Sequence, residues 1–377
     1  MRIGGHEPGS TGWFYTLRPE GCDELVARPG RVVVAMSGGV DSSVAAALLQ
    51  EQGFEVIGVM MRLWAEEENR CCAPQAVDDA RQVAAQLEIP FYLVNYETEF
   101  KACVVDYFIA EYGRGRTPNP CLACNRHIRF GRLLRHAQVL GATHLATGHY
   151  ARVEGEGRGY RLLKGLDPQK DQSYVLHMLG QDELERVLFP VGDFTKGQVR
   201  EMARKRGLPV ASKEESMELC FVSDDDYRRF LRERAPQAIK PGPILTSSGQ
   251  EIGRHKGLAF YTVGQRRGLG IAAPEALYVL RLDTDQNALI VGPERELGRS
   301  SLHATTVNYP SGQPPEAPVP VQAKIRYRAT FADATWTPLP GGQARVDFTA
   351  PLRDITPGQA VVAYQDDLVL AGGIICE

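Results

Sequence analysis

The chain has 377 residues, which at roughly 150 residues per domain predicts two or three domains and ample length to bury a core. Its 43 basic and 46 acidic residues leave a net charge of −3 at pH 7, and 43% hydrophobic with 24% charged residues is ordinary globular composition. Wholesale disorder and a uniformly basic nucleic-acid coat are excluded, so a nucleic-acid partner has to be held by local basic patches.

Eight cysteines are too few for a disulfide scaffold, and the start Met1-Arg-Ile-Gly-Gly-His6 has no apolar signal core. The longest apolar runs, such as Val32–Met36 and Val44–Leu49, fall far short of the roughly 20 residues that a membrane span needs. The expectation is a cytoplasmic protein with no membrane partner, in which closely spaced cysteines do redox, sulfur-carrying or metal chemistry.

Residues 1–30 are Gly-rich and aperiodic and read as an N-terminal extension. From Arg31 the pattern predicts a strand (31–36), a Gly turn (37–39), a helix (41–52), a strand (55–61), a helix (76–87) and a strand (91–95). A further helix over 128–140 and a strand over 144–148 continue the alternation, so 31–224 reads as an α/β domain with a doubly wound parallel sheet. From about Asp225, prolines and Gly-punctuated short strands, including 257–263 and 277–282, predict a small central domain over 225–292. The alternating stretches 321–328, 344–348, 360–364 and 368–375 predict a C-terminal β-barrel or sandwich over 293–377.

The segment Val32-Val-Val-Ala-Met-Ser-Gly-Gly-Val-Asp-Ser-Ser43 is a strand running through two glycines into a helix. The glycines let the backbone approach an anion, and the helix N-terminus presents unsatisfied N–H groups and a positive dipole end. Ser37, Ser42 and Ser43 add hydroxyl donors, and Asp41 is a candidate magnesium ligand. The loop lacks the Lys-Ser/Thr ending of a Walker loop and the spacing of a dinucleotide fingerprint. A lone Gly-Gly is more often a plain turn with a helix cap. Here Ser37-Gly-Gly-Val-Asp-Ser42 follows an apolar strand and resembles the pyrophosphate loop of the N-type ATP pyrophosphatases, which split ATP between its α and β phosphates and adenylate a carbonyl oxygen.

Cys121 and Cys124 form a C-x-x-C within Thr117-Pro-Asn-Pro-Cys-Leu-Ala-Cys-Asn125, and Pro118 and Pro120 predict an extended approach that leaves the first thiol at a loop end. By itself this spacing suits a redox pair, half of a zinc site or part of an iron-sulfur site. Cys22, Cys71, Cys72, Cys103 and Cys376 read as buried or incidental thiols.

Taken together, the Ser37 loop, Gly115-Arg-Thr-Pro-Asn-Pro120, Cys124-Asn125, Ala146-Thr-Gly-His-Tyr150, Lys170-Asp-Gln-Ser-Tyr174, Leu219-Cys-Phe221 and Gly264-Gln-Arg-Arg-Gly-Leu-Gly270 resemble the bacterial tRNA-specific 2-thiouridylase family. The resemblance implies a Rossmann-like pyrophosphate-loop fold, ATP with magnesium as cofactor, and tRNA and a persulfide-donating protein as partners. It implies ATP contacts at Ala35, Met36, Ser37, Gly38, Gly39, Val40, Asp41 and Ser42, with Met61 and Gly148 lining the adenosine. Asn119, Pro120 and Cys121 would approach the target base, and Lys170, Asp171, Gln172, Arg326 and Tyr327 would contact tRNA. Cys220 would carry the persulfide sulfur and Cys124 would be the second catalytic thiol. At Cys121 one form of the family has an aspartate proposed as a base. With a thiol there, Cys121, Cys124 and Cys220 form an alternative set of three iron-sulfur ligands.

No acidic residue separates Glu111 from Glu154, whereas Arg114, Arg116, Arg126, Arg129, Arg132, Arg135 and Arg152 fall between them. Arg254, Lys256, Arg266 and Arg267 form a second acid-free stretch, and Lys324, Arg326 and Arg328 a third, alternating as on one strand face. Next to the cysteines, the first run favours RNA phosphate contact over a merely solvated face. The competing readings are an amide-forming ligase or cluster-dependent thiolase of the pyrophosphatase type, and a noncatalytic RNA- or metal-binding protein with a relic nucleotide loop.

Overall fold

A computed structural model of the chain describes residues 30–66, 74–213 and 219–376. The readings of residues 1–29, Cys22, Cys71 and Cys72 lie outside the described residues.

Five parallel strands form the first sheet, in the order Phe91–Asn95, Glu55–Arg62, Arg31–Ala35, His144–Thr147, Val187–Leu188. The central strand is an unbroken apolar run because both faces are covered. Val33 and Ala35 pack with Ile57, Val59 and Phe108 on one side, while Val32 and Val34 pack with Val44, Val56 and Met60 on the other. Chain order reverses between Arg31–Ala35 and its neighbour His144–Thr147, and the crevice beyond the C-terminal ends of such strands is where open α/β sheets bind ligands.

The helix expected over 128–140 begins earlier. Helical structure runs unbroken from Pro120 to Val139, as an α-turn (Pro120–Ala123), a π-helical stretch (Cys124–Leu133) and an α-helix (Leu134–Val139). Pro120 takes the first helical position, where no N–H is needed, and Asn119 caps the turn by accepting from the Cys121 amide at 3.0 Å. The cysteines therefore sit on a helical first turn, with Cys121 exposed directly after the extended stretch 116–119.

In the middle of the chain a four-stranded sheet has the order Leu277–Asp283, Ala288–Pro293, Gly242–Thr246, Glu251–His255. The strand expected over 257–263 is instead a 3-10 turn (Leu258–Phe260) entered through Gly257 at φ +138°. Leu258, Ala259, Phe260 and Tyr261 are all buried, and four consecutive buried residues suit a turn pressed inward better than a strand with alternating faces.

The C-terminal strands close into a six-stranded barrel, because Arg299–Asn308 pairs with both Gln343–Leu352 and Leu368–Ile375. Trp336, Val346 and Ala363 fill its core. The strand expected over 321–328 runs Val319–Lys324 and stops, so Arg326 and Arg328 lie in a turn and do not alternate along a sheet face. A hairpin from the first part of the chain, Ala151–Glu154 with Arg161–Lys164, extends the barrel sheet through the pairing of Leu163 with Leu368. No described helix is long and apolar enough to cross a membrane.

His177 marks this junction. It is buried, its Nδ1 lies 2.8 Å from the Tyr174 carbonyl, and a Cβ added at Gly372 would stand 2.4 Å from its ring. Burial lowers its pKa from 6.5 to about 4, so between these values the unfolded chain takes up a proton that the folded one refuses. The stability is complete above pH 6.5 and is lost as the pH falls towards 4, by on the order of 3 kcal/mol at most. Urea titrations from pH 7 to 4.5 are expected to show His177→Gln losing less stability than the wild type over that range. Parallel losses would refute this origin.

Candidate active site

The loop after the central strand places its backbone at the switch point of the sheet. Met36 is buried, Gly38 adopts φ +69°, and a Cβ there would stand 2.3 Å from the Ala76 carbonyl oxygen, so only glycine fits. Gly39 caps the helix Val40–Glu51. Ser42 ties the turn: its Oγ accepts from the Ser37 amide at 3.1 Å and lies 3.2 Å from the Ser37 hydroxyl. Gly148, at the end of the adjacent strand His144–Thr147, presses on this turn, since a Cβ there would be 2.7 Å from the Ser42 nitrogen. Met61 is buried near the end of Glu55–Arg62. The turn after Ser37 thus brings backbone N–H groups of residues 38–42 to a cradle at a helix N-terminus with Gly148 against it, while the Met36 and Ser37 amides bond the Val59 carbonyl and Ser42 Oγ.

Two lysines from distant sequence complete this cradle. Lys196 places its Nζ 2.7 and 2.8 Å from the two Asp41 carboxylate oxygens, and the Tyr150 hydroxyl donates to the same carboxylate at 2.8 Å. Lys213 donates to the Gly38 carbonyl at 2.9 Å and pairs with Asp79 at 2.5 Å. Sequence reading missed both. The Thr195 to Gln198 capping box is a local signal that starts a helix at Lys196, but nothing local says that this helix end faces Asp41.

On the cysteine helix, Cys124 is buried and Cys121 exposed. Cys220 packs against the same apolar core that contains Cys124 and Met61. Asn125 donates to the Val175 carbonyl at 2.9 Å and accepts from Arg129 at 2.5 Å. The Arg129 guanidinium also lies 3.4 Å from His149 Nε2, and His149 Nδ1 is 2.7 Å from the Thr147 hydroxyl. A guanidinium only donates, so His149 Nε2 accepts and the proton resides on Nδ1. Burial, aided by Arg129, holds the His149 pKa well below 6.5 and the ring neutral. This chain of contacts joins the residue after Cys124 to the residue after Gly148.

The family model described as tRNA methyl transferase HUP domain matches residues 30–224; those described as tRNA methyl transferase PRC-barrel domain and aminomethyltransferase beta-barrel domain match 228–293 and 299–375. The chain is 53% identical over 351 residues to the tRNA-specific 2-thiouridylase MnmA of Moorella thermoacetica, covering 91% of this chain and 98% of that protein. This chain belongs to the MnmA family. The MnmA proteins of Pelotomaculum thermopropionicum and of Roseiflexus sp. are 52% and 50% identical to it, each over 92% of this chain and over 97% and 99% of their own lengths.

Of the other residues singled out by the MnmA resemblance, Lys170, Gln172, Arg326 and Tyr327 are half-buried and Asp171 is buried. The Asp171 carboxylate accepts from the Gly165 and Ser173 amides at 3.0 and 3.1 Å and from the Ser173 hydroxyl at 2.9 Å. Gln172 accepts from the Tyr150 amide at 3.0 Å. Asp171 and Gln172 therefore hold the loop together, and Gln172 keeps part of its side chain at the surface. Tyr327 is half-buried with its ring 6.1 Å from that of Tyr174, and Arg326 donates to the Val263 carbonyl at 3.2 Å and the Thr356 hydroxyl at 2.5 Å.

Four of the seven arginines in the acid-free run form ion pairs, two of them sharing one carboxylate. Arg114 and Arg116 pair with the buried Glu111, each at 2.9 Å, Arg132 pairs with Glu99 at 3.3 Å, and Arg152 pairs with Asp367 at 2.7 Å. Asp41 binds Lys196 through both oxygens, and its carboxylate keeps further acceptor sites on the side of the phosphate loop. Among the described residues no group of three His, Cys, Asp or Glu is gathered to hold a metal, and Cys121, Cys124 and Cys220 do not form the cluster site considered from the sequence.

Proposed function

We propose that this protein catalyses ATP-dependent 2-thiolation of the wobble uridine of tRNA in the cytoplasm, releasing AMP and pyrophosphate. The observation that carries the reading is the chain Asn125–Arg129–His149, which couples the cysteine helix to the phosphate cradle in a chain of this family. We read residues 1–30 as an extension, 31–224 as the catalytic domain, 225–292 as a small central domain and 293–377 as the barrel.

Residues 35–42 hold the triphosphate, with Met61 and Gly148 at the adenosine, and Asp41 would hold a magnesium ion that neutralises phosphate charge. Asn119, Pro120 and Cys121 present the uracil. Its 2-oxygen attacks the α-phosphorus, pyrophosphate leaves, and the weakly electrophilic C2 now bears an AMP leaving group. The terminal sulfur of a Cys220 persulfide, loaded by a donor protein, attacks C2 and expels AMP. The Cys124 thiolate then attacks the Cys220 sulfur, forming a Cys124–Cys220 disulfide and leaving the transferred sulfur on the base. A thiol reductant restores both cysteines.

Unmodified tRNA incubated anaerobically with the protein, ATP, magnesium and a persulfide donor is expected to yield 2-thiouridine at the wobble position in nucleoside mass spectrometry. An unchanged wobble uridine, with folded protein and an active donor, would refute the reading.

A further inference from the structure

A cavity of about 470 Å³ opens where three parts of the chain meet: the helix Tyr227–Arg234, the turns after Leu258–Phe260, and the barrel turn that carries Arg326. Its lining includes Arg228, Thr262, Gln265, Arg267 and Arg326, so three guanidiniums face a single carboxylate, Asp354. Asp354 lies 3.9 Å from Arg326. Two of the acid-free basic stretches, far apart in sequence, thus converge on one concave surface.

Its position ties it to the cysteine segment. The Thr262 hydroxyl lies 3.3 Å from that of Thr117, the first residue of Thr117-Pro-Asn-Pro-Cys121. Thr117 is fixed on its other side by the Pro357 carbonyl at 2.9 Å and by Gln359, which donates to the Thr117 carbonyl at 2.9 Å. The cavity wall and the segment bearing Asn119 and Cys121 are therefore one rigid assembly.

The chemistry of the lining selects the ligand. Tyr227 is stacked on Tyr112 at 5.2 Å, and the Arg228 guanidinium lies 5.3 Å from its ring centre, so its faces are engaged and base stacking is disfavoured. Arg228 is held through Nε by the Phe260 carbonyl at 3.1 Å, which orients the fork, and Arg267 is exposed. Oriented guanidiniums with hydroxyl and amide donors suit a phosphodiester.

We infer that this cavity binds a backbone phosphate of the nucleotide flanking the target uridine, with Arg267 and Arg228 as its donors. The inference rests on the tRNA reading above and adds a subsite to it. It makes the cavity a clamp that holds the anticodon strand in register while the base is turned towards the cysteines.

The test uses the full chain and ligated tRNAs carrying a methylphosphonate, with matched 2′-O-methyl controls, at either linkage beside the target uridine. Arg267→Ala is expected to weaken tRNA binding about five- to tenfold and to reduce the slope of log affinity against log salt by roughly 0.7 to 1, with the KM for ATP unchanged. One methylphosphonate is expected to weaken wild-type binding equally and to add nothing to Arg267→Ala. Gln265→Ala is a second, milder probe at a half-buried position. Additive losses, insensitivity to both methylphosphonates, or a raised KM for ATP would each overturn the subsite while normal tRNA is still thiolated. Failure of the wild type to bind or thiolate the control tRNA would overturn the tRNA reading, and the subsite with it.

Discussion

Cys220→Ser is expected to lower thiolation of tRNA by roughly a thousandfold or more, because a hydroxyl cannot carry a transferable sulfur and no second group replaces a lost nucleophile. The substitution is nearly isosteric at a half-buried position beside the fully buried Phe221, so the fold is expected to survive. The informative readout is the separation of steps. In single-turnover assays Cys220→Ser should still release pyrophosphate from ATP when tRNA is supplied, while radiolabelled sulfur from the donor fails to appear on tRNA. Cys124→Ser should differ in one respect: Cys220 still accepts labelled sulfur, and the label stalls before it is released as 2-thiouridine. Full activity of Cys220→Ser would refute the persulfide assignment. Loss of pyrophosphate release in both variants would place the thiols in the adenylation step instead.

Gly148→Val is expected to uncouple the nucleotide site from the rest of the protein. A Cβ at this position would stand 2.7 Å from the Ser42 nitrogen and 2.8 Å from the Asp41 carbonyl carbon. These are backbone atoms of the first helical turn and cannot swing aside as a side-chain end does, so the cradle itself has to move. Hydrogen bonds to a charged group contribute about 1.5–3 kcal/mol each, so misaligning one or two N–H donors should weaken ATP binding roughly ten- to hundredfold or more. Calorimetric titration with ATP measures this, and retained tRNA binding with a near-native circular dichroism spectrum shows that the loss is local. Unchanged ATP affinity would remove the Ser37 loop from the nucleotide site. Neutral variants of Lys196 or Lys213 offer no such clean separation, because each would leave Asp41 or Asp79 without its cation.

What the sequence determined by itself rests on short-range physics. The strand Phe91–Asn95 lies at the expected residues, and the first helix and the central strand differ from expectation by one residue at each displaced end, because apolar runs and Gly-Gly turns act within a few residues. The Ser37 cradle was legible for the same reason: glycine at positive φ and a helix N-terminus are local requirements. The start of the cysteine helix was misread although its signals, Asn119 as cap and Pro120 at the first position, are also local. The prolines mark an extended approach, which holds over 116–119, but proline at the first helical position also starts a helix.

Only the tertiary structure decided which charges remain available. A stretch without acids from 112 to 153 looks uniformly cationic along the chain, but Coulomb interaction acts through space, and Glu111, Glu99 and Asp367 return to balance Arg116, Arg132 and Arg152. The same reach brings Lys196 to Asp41 across 155 residues and buries His149 until it is neutral. Conversely, Arg228, Arg267 and Arg326, far apart along the chain, act together because three separate segments turn them into one cavity. Local sequence specifies which groups can do chemistry. Packing specifies which of them are spent on the fold and which still face a ligand.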